Sequence, residues 1–333
     1  MINQLVSWVD PIENKTLVLK DNFLVNNSGK FLVKNKIPIF VQNLKNQNQI
    51  QVQKAFGFKW KQNPTVTEDY FFQNNLKEIY YDMMGLDDNV ISLFENKIIL
   101  DVGVGSGSSA KLWAPYAKEF HGIDISEAIF EAKNTLKEYG DKIILSQADL
   151  NSLPYENESF DFLVSNGVLH HTENTKKSLE RILRKLKFGG YCLFYIYKIK
   201  SPIREFSDDL IREKISDMEP NSALEELKSI TEFAKSLSEQ SIKINVPKDI
   251  RFLGIEKGHY DLQLFIYQYF FKCFWNKNFG FDISNLTNFD WYYPKFSWRH
   301  SKEEIYQWCE DFSLKPIFIK EKMSGYATLV QKI

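Results

Sequence analysis

The sequence is poor in cysteine. Its 333 residues contain three, Cys192, Cys273 and Cys309, which lie far apart and form no CxxC pair. This spacing excludes a disulfide-stapled scaffold and provides no set of zinc ligands. We therefore expect no metal site, and a protein of a reducing compartment such as the cytoplasm.

The sequence also lacks an excess of charge of one sign and any long hydrophobic run. Lys and Arg number 42 against 43 Asp and Glu, so the net charge is -1 and nothing favours a nucleic-acid partner. Near the N-terminus, Asp10, Glu13 and Lys15 interrupt the apolar residues, which excludes a signal peptide and a membrane span there. We expect no membrane association.

What is present is an ordinary globular composition, 44% hydrophobic and 26% charged. A chain of 333 residues is long for one domain, which predicts a core domain with a second unit. The predicted segments are a small N-terminal β-module (1–50), a Rossmann-like core with a leading helix (51–199), an inserted helical cap (200–298), and a C-terminal helix and β-hairpin that complete the core (299–333). The polar stretch 42–53 is interpreted as a linker or exposed loop.

Strand and helix patterns alternate through the central part of the chain. Alternation of this kind, with nearly continuous apolar strands, predicts an α/β fold with a parallel sheet covered on both faces. The predicted strands are 97–102, 120–123, 142–146, 160–165 and 190–197, and the predicted helices are 68–84, 108–117, 126–139, 173–186 and 302–312. Short strand-like runs at 17–19, 23–25, 31–33 and 37–41 indicate the N-terminal module, and the runs 315–320 and 326–331 indicate the terminal hairpin.

The stretch between residues 200 and 298 is too long for a loop of a compact domain. Helical patterns at 207–218, 223–237 and 261–275 predict a cap. The apolar run 261–275 is too short to span a bilayer, so it predicts either the core of the cap or the face of a homodimer.

A glycine-rich turn, Asp101-Val102-Gly103-Val104-Gly105-Ser106-Gly107, lies between a predicted strand and a predicted helix. Glycine allows positive φ and close approach of a ligand to the backbone, and a helix N-terminus presents free N–H groups. The turn therefore predicts a site for a nucleotide-type ligand. Dinucleotide dehydrogenases use a related turn, but Ser108 stands where they need a third glycine. Asp101 suits the ammonium group of a methionine moiety.

Further acids follow the next two strands. Asp124, with Ile125 behind it, is placed to accept hydrogen bonds from ribose hydroxyls, and Asp149-Leu150 to meet an adenine ring. After the fourth strand the sequence reads Asn166-Gly167-Val168-Leu169-His170-His171.

This ordered set, closed by Phe188-Gly189-Gly190, resembles the class I S-adenosylmethionine-dependent methyltransferases of the "methyltransferase type 11" group. The resemblance spans about residues 97–198 and implies a seven-stranded sheet ending in a β-hairpin. It implies S-adenosylmethionine as the cofactor and S-adenosylhomocysteine as the product. The residues it implies as cofactor ligands are Asp101, Gly103, Gly105, Gly107, Asp124, Ile125, Asp149, Leu150 and Asn166.

The N-terminal flank also resembles one bacterial subgroup of these enzymes. The segments that carry this resemblance are 36–40 (Lys-Ile-Pro-Ile-Phe) and 55–60 (Ala-Phe-Gly-Phe-Lys-Trp). In such relatives the module is similar to the zinc-ribbon activator subunit of tRNA and release-factor methyltransferases. No cysteine precedes Cys192 here, so zinc binding does not follow.

Two histidines are candidates for catalysis. An imidazole can remove a proton from an acceptor near neutral pH, so His171 is the first candidate for a general base and His170 the second. The alternative is that either histidine packs against or caps the following helix. The candidates for acceptor binding are Phe58, Trp60, Tyr292, Tyr293, Arg299 and His300. For Phe58 and Trp60 core packing is the alternative. For the candidates between residues 291 and 300 the alternative is a structural junction in which Arg299 pairs with an acid.

Together these features predict a methyltransferase acting on an O or N atom of a small-molecule acceptor, such as a sugar, a glycan precursor or a secondary metabolite. An inserted cap favours an enclosed pocket over an open, basic surface. Two alternatives stay open. One is a tRNA or protein methyltransferase that docks through the N-terminal module, and the other is a non-catalytic module that keeps the cofactor fold.

Overall fold

Turn residues divide the N-terminal segment into four short strands. In the computed structural model, which describes residues 4–41, 46–62 and 69–333, they form one antiparallel meander. The strands are β1 (Val18–Lys20), β2 (Phe23–Val25), β3 (Lys30–Lys34) and β4 (Ile37–Pro38). The predicted β-module is confirmed, except that its last strand ends at Pro38 instead of continuing to residue 41. Leu24 and Phe31 of this sheet belong to the main hydrophobic core.

The prediction of a linker or exposed loop over residues 42–53 is wrong for its described part. Helix α1 (Gln47–Gln62) begins there, and residues 42–45 lie outside the described residues. Gln, Lys and Ala are good helix formers, and Val52 and Ala55, three positions apart, are both buried. Local polarity concealed a helix whose apolar face is only a narrow stripe.

The predicted helix 68–84 is interrupted, and its first residue lies outside the described residues. Helix α2 (Asp69–Phe71) passes into a π-helical turn (Phe72–Leu76) and then into α3 (Lys77–Met84). Gly85 ends α3 in the left-handed conformation with φ 66°, as predicted from its position. Helix α4 (Asp88–Ser92) follows, capped by the side chain of Asp87, which accepts from the Val90 N–H at 3.0 Å.

The central part of the chain contains five strands and two regular helices. They are β5 (Ile98–Val102), β6 (Glu119–Asp124), α5 (Ala128–Thr135), β7 (Ile143–Gln147), β8 (Phe160–Asn166), α6 (Thr175–Leu183) and β9 (Leu186–Tyr197). The α-helix predicted over 108–117 is wrong: two short 3₁₀ turns, Ser109–Leu112 and Ala114–Tyr116, stand in its place. Pro115 has no N–H to donate and its ring clashes with a helical carbonyl, so a continuous helix is disfavoured there.

The stretch from residue 199 to residue 297 is mostly helical. It contains α7 (Pro202–Ile215), α8 (Pro220–Glu226), α9 (Lys228–Gln240), β10 (Lys243–Val246), β11 (Gly258–Asp261), α10 (Leu262–Tyr269) and α11 (Gly280–Tyr292). Strands β10 and β11 pair antiparallel, which the sequence patterns did not indicate. The helix predicted over 261–275 ends at Tyr269.

The chain ends with α12 (Lys302–Asp311), β12 (Leu314–Glu321) and β13 (Gly325–Lys332). The main sheet has seven strands in the order β12-β13-β9-β8-β5-β6-β7. Strands β5 to β9 run parallel, and β13 pairs antiparallel with both β9 and β12. This confirms the predicted Rossmann-like fold class with its terminal hairpin. The N-terminal module joins the far edge, where the Phe40 N–H donates to the Gln147 carbonyl at 2.8 Å.

The chain forms two compact units. Unit 1 comprises Met1–Gln53, Pro64–Lys198 and Trp298–Ile333, and unit 2 comprises Lys54–Asn63 and Ile199–Ser297. The boundaries at residues 50, 199 and 298 that the sequence indicated stay predictions. Among the described residues, no helix combines the length and the apolar character that crossing a membrane requires.

Candidate active site

Two buried carboxylates stand at neighbouring strand ends in unit 1. Asp101 is the penultimate residue of β5, opposite Gly122 of β6, and Asp124 is the final residue of β6. Only 1% of Asp101 and 7% of Asp124 is exposed to solvent. Buried acids are rare unless they are paired, so this end of the sheet is built to meet cationic or hydroxyl groups.

The glycine turn between β5 and the first 3₁₀ turn has the conformation that its sequence requires. Gly103, Gly105 and Gly107 all have positive φ, at 80°, 57° and 83°. The N–H groups of Gly103 and Val104 both donate to the Ile123 carbonyl, at 2.8 and 2.9 Å, which folds the turn over β6. The turn is therefore held against the strand that carries Asp124.

Asp124 fixes the turn as well as offering its carboxylate. Its Oδ2 accepts from the Gly105 N–H at 2.9 Å, and its Oδ1 accepts from the N–H and hydroxyl of Ser126 at 2.8 and 2.6 Å. Burial raises the pKa of Asp124, and the donors from Ser126 and Gly105 oppose that rise. The carboxylate thus has a fixed orientation.

Asp101 is less fully satisfied. Within the described residues its one hydrogen bond comes from the Trp113 indole N–H, which donates to Oδ2 at 2.8 Å. Burial raises the pKa of Asp101 to about 7, Trp113 opposes this, and the charge of Asp124 adds to it. A buried carboxylate with capacity to accept further bonds is suited to a cationic ligand group.

A second polar group in the turn also lacks a partner within the structure. The Ser106 hydroxyl is fully buried, and its oxygen makes no hydrogen bond in the described part of the chain. Such a group is costly unless a ligand or water satisfies it. Together with Asp101, this makes the turn fit a ligand that carries both donor and acceptor groups, as the amino-acid end of S-adenosylmethionine does.

The other predicted cofactor ligands are spread along the same edge of the sheet. Asp149 follows β7 and is half-buried, and its Oδ1 accepts from the Asn151 N–H at 2.9 Å. Leu150 is buried beside it, Ile125 directly follows Asp124, and Asn166 ends β8. The fold therefore brings all the predicted cofactor residues to the carboxyl ends of β5 to β8, where ligands of open α/β sheets bind. Their roles stay predictions.

The two histidines lie just beyond β8 and touch each other. His170 is fully buried, and its ring stacks on that of Tyr197 with the centroids 3.7 Å apart. Its Nδ1 accepts from the Tyr197 N–H at 3.3 Å, and burial, followed by the neighbouring His171 and His300, holds its pKa well below the usual range. His170 is therefore neutral. The His171 ring meets Tyr197 edge-on, with the centroids 5.5 Å apart.

The segment 298–300 runs beside these histidines in unit 1. The Trp298 N–H donates to the His170 carbonyl at 2.9 Å, and its indole donates to the Thr172 carbonyl at 2.8 Å. His300 is buried, with Nε2 2.9 Å from the Thr175 hydroxyl, and burial lowers its pKa. Arg299 is half-buried. The His300 N–H also donates to the Tyr197 carbonyl at 3.0 Å, so His300 connects β9 with α6. The predicted acceptor role of Arg299 and His300 stays a prediction.

The remaining predicted acceptor residues lie in unit 2. Tyr292 is fully buried and its hydroxyl donates to Asp208 Oδ1 at 2.7 Å, while the Tyr293 hydroxyl donates to the Met218 carbonyl at 2.9 Å. Both hydroxyl groups therefore form hydrogen bonds within unit 2. Phe58 packs on Phe289, with the centroids 5.4 Å apart, and Phe289 stacks on Tyr293. Trp60 is half-buried beneath the Lys59 ammonium, 4.6 Å from its ring.

Several residues at this sheet edge were not found from the sequence. Trp113, the donor to Asp101, lies twelve positions away on a turn whose course no periodicity reveals. Val168 packs on Gly103, and Tyr197 stacks on His170. Of these residues, only Ser106 could have been found from the sequence, because it lies inside the glycine turn.

Comparison with known proteins agrees with this geometry. Residues 100–194 match the family model described as "Methyltransferase domain". This part of the chain is a methyltransferase domain of the kind whose cofactor is S-adenosylmethionine. The matched segment begins in β5 and ends in β9, so it contains the glycine turn, the strand-end acids and both histidines.

Two relatives illustrate the similarity in sequence. An uncharacterized methyltransferase, YcgJ, of Bacillus subtilis is 30% identical over 154 residues, which cover 45% of this chain and 60% of the relative. A highly reducing polyketide synthase, AN6791, of Emericella nidulans is 29% identical over 142 residues, which cover 38% of this chain and 6% of the synthase. The chain thus matches less than two thirds of the length of these relatives.

Similar solved structures are more distant in sequence. The 1,6-didemethyltoxoflavin-N1-methyltransferase of Burkholderia thailandensis, solved with S-adenosylhomocysteine, is 10% identical, and the match covers 92% of this chain and 97% of that one, with a TM-score of 0.47. For the Bacillus YcgJ structure the identity is 17%, the coverage 75% and 97%, and the TM-score 0.37.

Proposed function

We propose that this protein transfers the methyl group of S-adenosylmethionine to an O or N atom of a small-molecule acceptor. The observation that carries the proposal is the pair of buried carboxylates, Asp101 and Asp124, on either side of a glycine turn with three positive φ angles. The domain match over residues 100–194 supports the cofactor.

In the proposed site each part of the cofactor has its own ligands. Asp101 binds the ammonium group, and the Ser106 hydroxyl is available to the same amino-acid end. Asp124 accepts from ribose hydroxyls, Asp149 and Leu150 hold the adenine, and Asn166 lines the sheet edge. When bound, the cofactor supplies an electrophilic methyl group, so the protein contributes mainly alignment and the exclusion of water.

His171 is the proposed base for an acceptor that must lose a proton. Its neighbour His170 is neutral and accepts from the Tyr197 N–H, so it acts as a positioning residue. An amine acceptor needs only to be held in its neutral form, and for such an acceptor the demand on His171 is smaller.

The acceptor class rests on two supports. The chain is balanced in charge, with 42 basic and 43 acidic residues, which disfavours a polyanionic acceptor such as tRNA. A separate, mostly helical unit of about a hundred residues is available to recognise a small molecule. A tRNA or protein acceptor, or a purely regulatory module, remains the alternative.

Titration calorimetry with S-adenosylmethionine and S-adenosylhomocysteine tests the cofactor. Saturable binding is the expected result, and its absence would overturn the proposal. A transfer assay with labelled methyl groups, run on pooled small hydroxyl and amine compounds and on total tRNA, then tests the acceptor. Labelling of tRNA, with binding that weakens steeply as salt increases, would replace the small-molecule acceptor by RNA. Saturable cofactor binding without any methyl transfer would favour the regulatory module.

A further inference from the structure

A cluster of charged side chains lies in the interior of unit 2. Arg204 and Asp208, one turn apart on α7, form an ion pair of 2.7 Å in which both residues are almost completely buried. Nearer the surface, Lys59 and Asp290 form a second pair of 3.0 Å, each with 20% of its side chain exposed. Lys272 is a further buried cation among these residues, with 6% of its surface exposed.

The charges in this cluster do not balance. Asp208 compensates Arg204, Asp290 compensates Lys59, and at the edge of the cluster Asp209 compensates Arg212 at 2.6 Å. Lys272 has no such partner: within the described residues its ammonium group makes neither an ion pair nor a hydrogen bond. Burying an unpaired charge costs several kcal/mol, so an uncompensated lysine at this depth needs an explanation.

Asp208 cannot also accept a hydrogen bond from the Lys272 ammonium group. Its two oxygens already accept from the Arg204 Nε, the Trp291 indole, the Tyr292 hydroxyl and the Lys272 backbone N–H, at distances of 2.7 to 2.9 Å. These four donors fill its capacity. The ammonium of Lys272 instead lies 4.8 Å from the centre of the Trp291 ring.

A second unsatisfied donor lies at the same indole ring. The Arg204 guanidinium is 5.3 Å from the Trp291 centroid, and its Nη2 is buried without a hydrogen-bond partner in the described residues. When Lys272 is protonated, the cluster therefore holds one excess positive charge, with unused N–H donors on both an ammonium and a guanidinium group. A small oxyanion supplies the complementary set, namely negative charge with several acceptor oxygens.

We propose that unit 2 binds an oxyanion, the carboxylate or phosphate group of a small ligand, through Lys272 and Arg204 beside Trp291. The partly exposed pair Lys59 and Asp290 forms the outer edge of this site. The proposal does not depend on the methyltransferase activity, because every residue in it belongs to unit 2 and the binding requires no cofactor.

The surroundings of Lys272 make the binding depend on pH. Burial lowers the pKa of Lys272 to about 7, with Arg204 and Lys59 adding to the effect and Asp290 and Asp208 opposing it. Burial raises the pKa of Cys273 to about 12 and that of Tyr292 well above its usual value. Arg204 and Asp208 stabilise each other's charged forms against their burial, so the pKa of Arg204 is raised and that of Asp208 is lowered. An anion that binds the charged amine therefore binds more weakly as the pH rises above about 7.

Sulfate is the probe, since its charge is constant between pH 6 and pH 9. Calorimetric titration of the full chain, with ionic strength held constant by chloride, should give saturable binding whose affinity falls by roughly two orders of magnitude between those pH values. Lys272→Met should abolish the binding. Lys272→Arg, whose charge does not titrate, should bind sulfate without the pH dependence.

Lys235→Met is the matched control. Lys235 also lies over a tryptophan of unit 2, with Nζ 5.8 Å from the Trp275 ring, but 45% of its side chain is exposed and it pairs with Glu239 at 3.8 Å. The Lys235→Met variant should bind sulfate with the same affinity as the wild type. The proposal is overturned by an absence of saturable binding at pH 6, by equal affinity at pH 6 and pH 9, or by unchanged binding in Lys272→Met. The wild-type pH profile decides the question even if a variant fails to fold.

Competition then identifies the ligand group. Methyl phosphate and acetate are titrated against bound sulfate at pH 6, and the stronger competitor indicates whether phosphate or carboxylate is the natural group. Failure of both to displace sulfate would overturn the assignment to this chemical class.

Discussion

Val168, which follows β8, occupies the space that a side chain on Gly103 would need. A Cβ built on Gly103 would lie 2.3 Å from Cγ2 of Val168, far inside contact distance. Gly103 also has φ 80°, a conformation that L-residues rarely adopt. The end of β5 and the segment carrying the two histidines are thus in contact through one glycine.

Replacing Gly103 by Ala should destabilise the protein by more than the backbone strain alone. Gly140→Ala is the matched control, because Gly140 has φ 72° but no atom within 4 Å of its built Cβ. The control should cost about 1–3 kcal/mol, because Gly140 has φ 72° and ψ -151°, a conformation that L-residues rarely adopt. Gly103→Ala should cost clearly more, because the contact with Val168 adds to the backbone strain. Urea unfolding measures both, and the excess should shrink when Val168→Ala is added. Equal costs for the two glycines would show that the contact is unimportant.

Asp124→Ala should weaken binding of S-adenosylhomocysteine by about 1–3 kcal/mol, because ribose hydroxyls lose their acceptor. Calorimetry measures the change. Asp161→Asn is a suitable control, since Asp161 lies in β8 next to its first residue and pairs with Lys187 at 2.8 Å, away from the carboxyl end of the strand. Unchanged affinity in Asp124→Ala would refute the assigned role.

Asp101 should make both the stability of the fold and the binding of the cofactor depend on pH. Its pKa is raised to about 7 in the folded state, so the folded protein holds a proton there that the unfolded chain releases near pH 4. The free energy of unfolding contributed by Asp101 is therefore present at low pH and is lost as the pH rises from about 4 to about 7.

Binding of an ammonium group favours the ionised form of Asp101, so affinity for S-adenosylhomocysteine should rise between pH 6 and pH 8. Calorimetry at several pH values measures this. Asp101→Asn should bind more weakly and lose the dependence. An affinity in the wild type that stays constant over this range would exclude the proposed pairing.

His171→Ala should lower kcat by roughly 10²–10⁴-fold on a hydroxyl acceptor, because the proposed base is lost. Its affinity for S-adenosylhomocysteine should stay the same. The control is His259→Ala, since His259 is exposed on β11 of unit 2. Full activity of the His171 variant on a hydroxyl acceptor would show that another group, or solvent, takes the proton.

The sheet and its order of elements were predictable because the information is local. Strands β5 to β9 are mostly buried segments, and the acids Asp101 and Asp124 lie at the carboxyl ends of β5 and β6, so parallel pairing alone brings them to one edge. The spacing of Gly103, Gly105 and Gly107 likewise predicted the turn after β5, because positive φ angles depend on the residue type at each position. Local patterns also misled, since the polar start of α1 suggested a loop and the segment around Pro115 suggested a helix.

The sequence by itself therefore determined the fold class, the cofactor turn and the identity of the strand-end acids, because each depends on neighbouring residues. Only the tertiary structure decided that Trp113 donates to Asp101, that His170 is neutral against Tyr197, and that Lys272 is left unpaired beside Arg204. Those relationships join residues that are twelve to sixty-eight positions apart in the sequence. Whether such distant side chains are buried together or form hydrogen bonds depends on how the folded chain packs, which no local sequence pattern reveals.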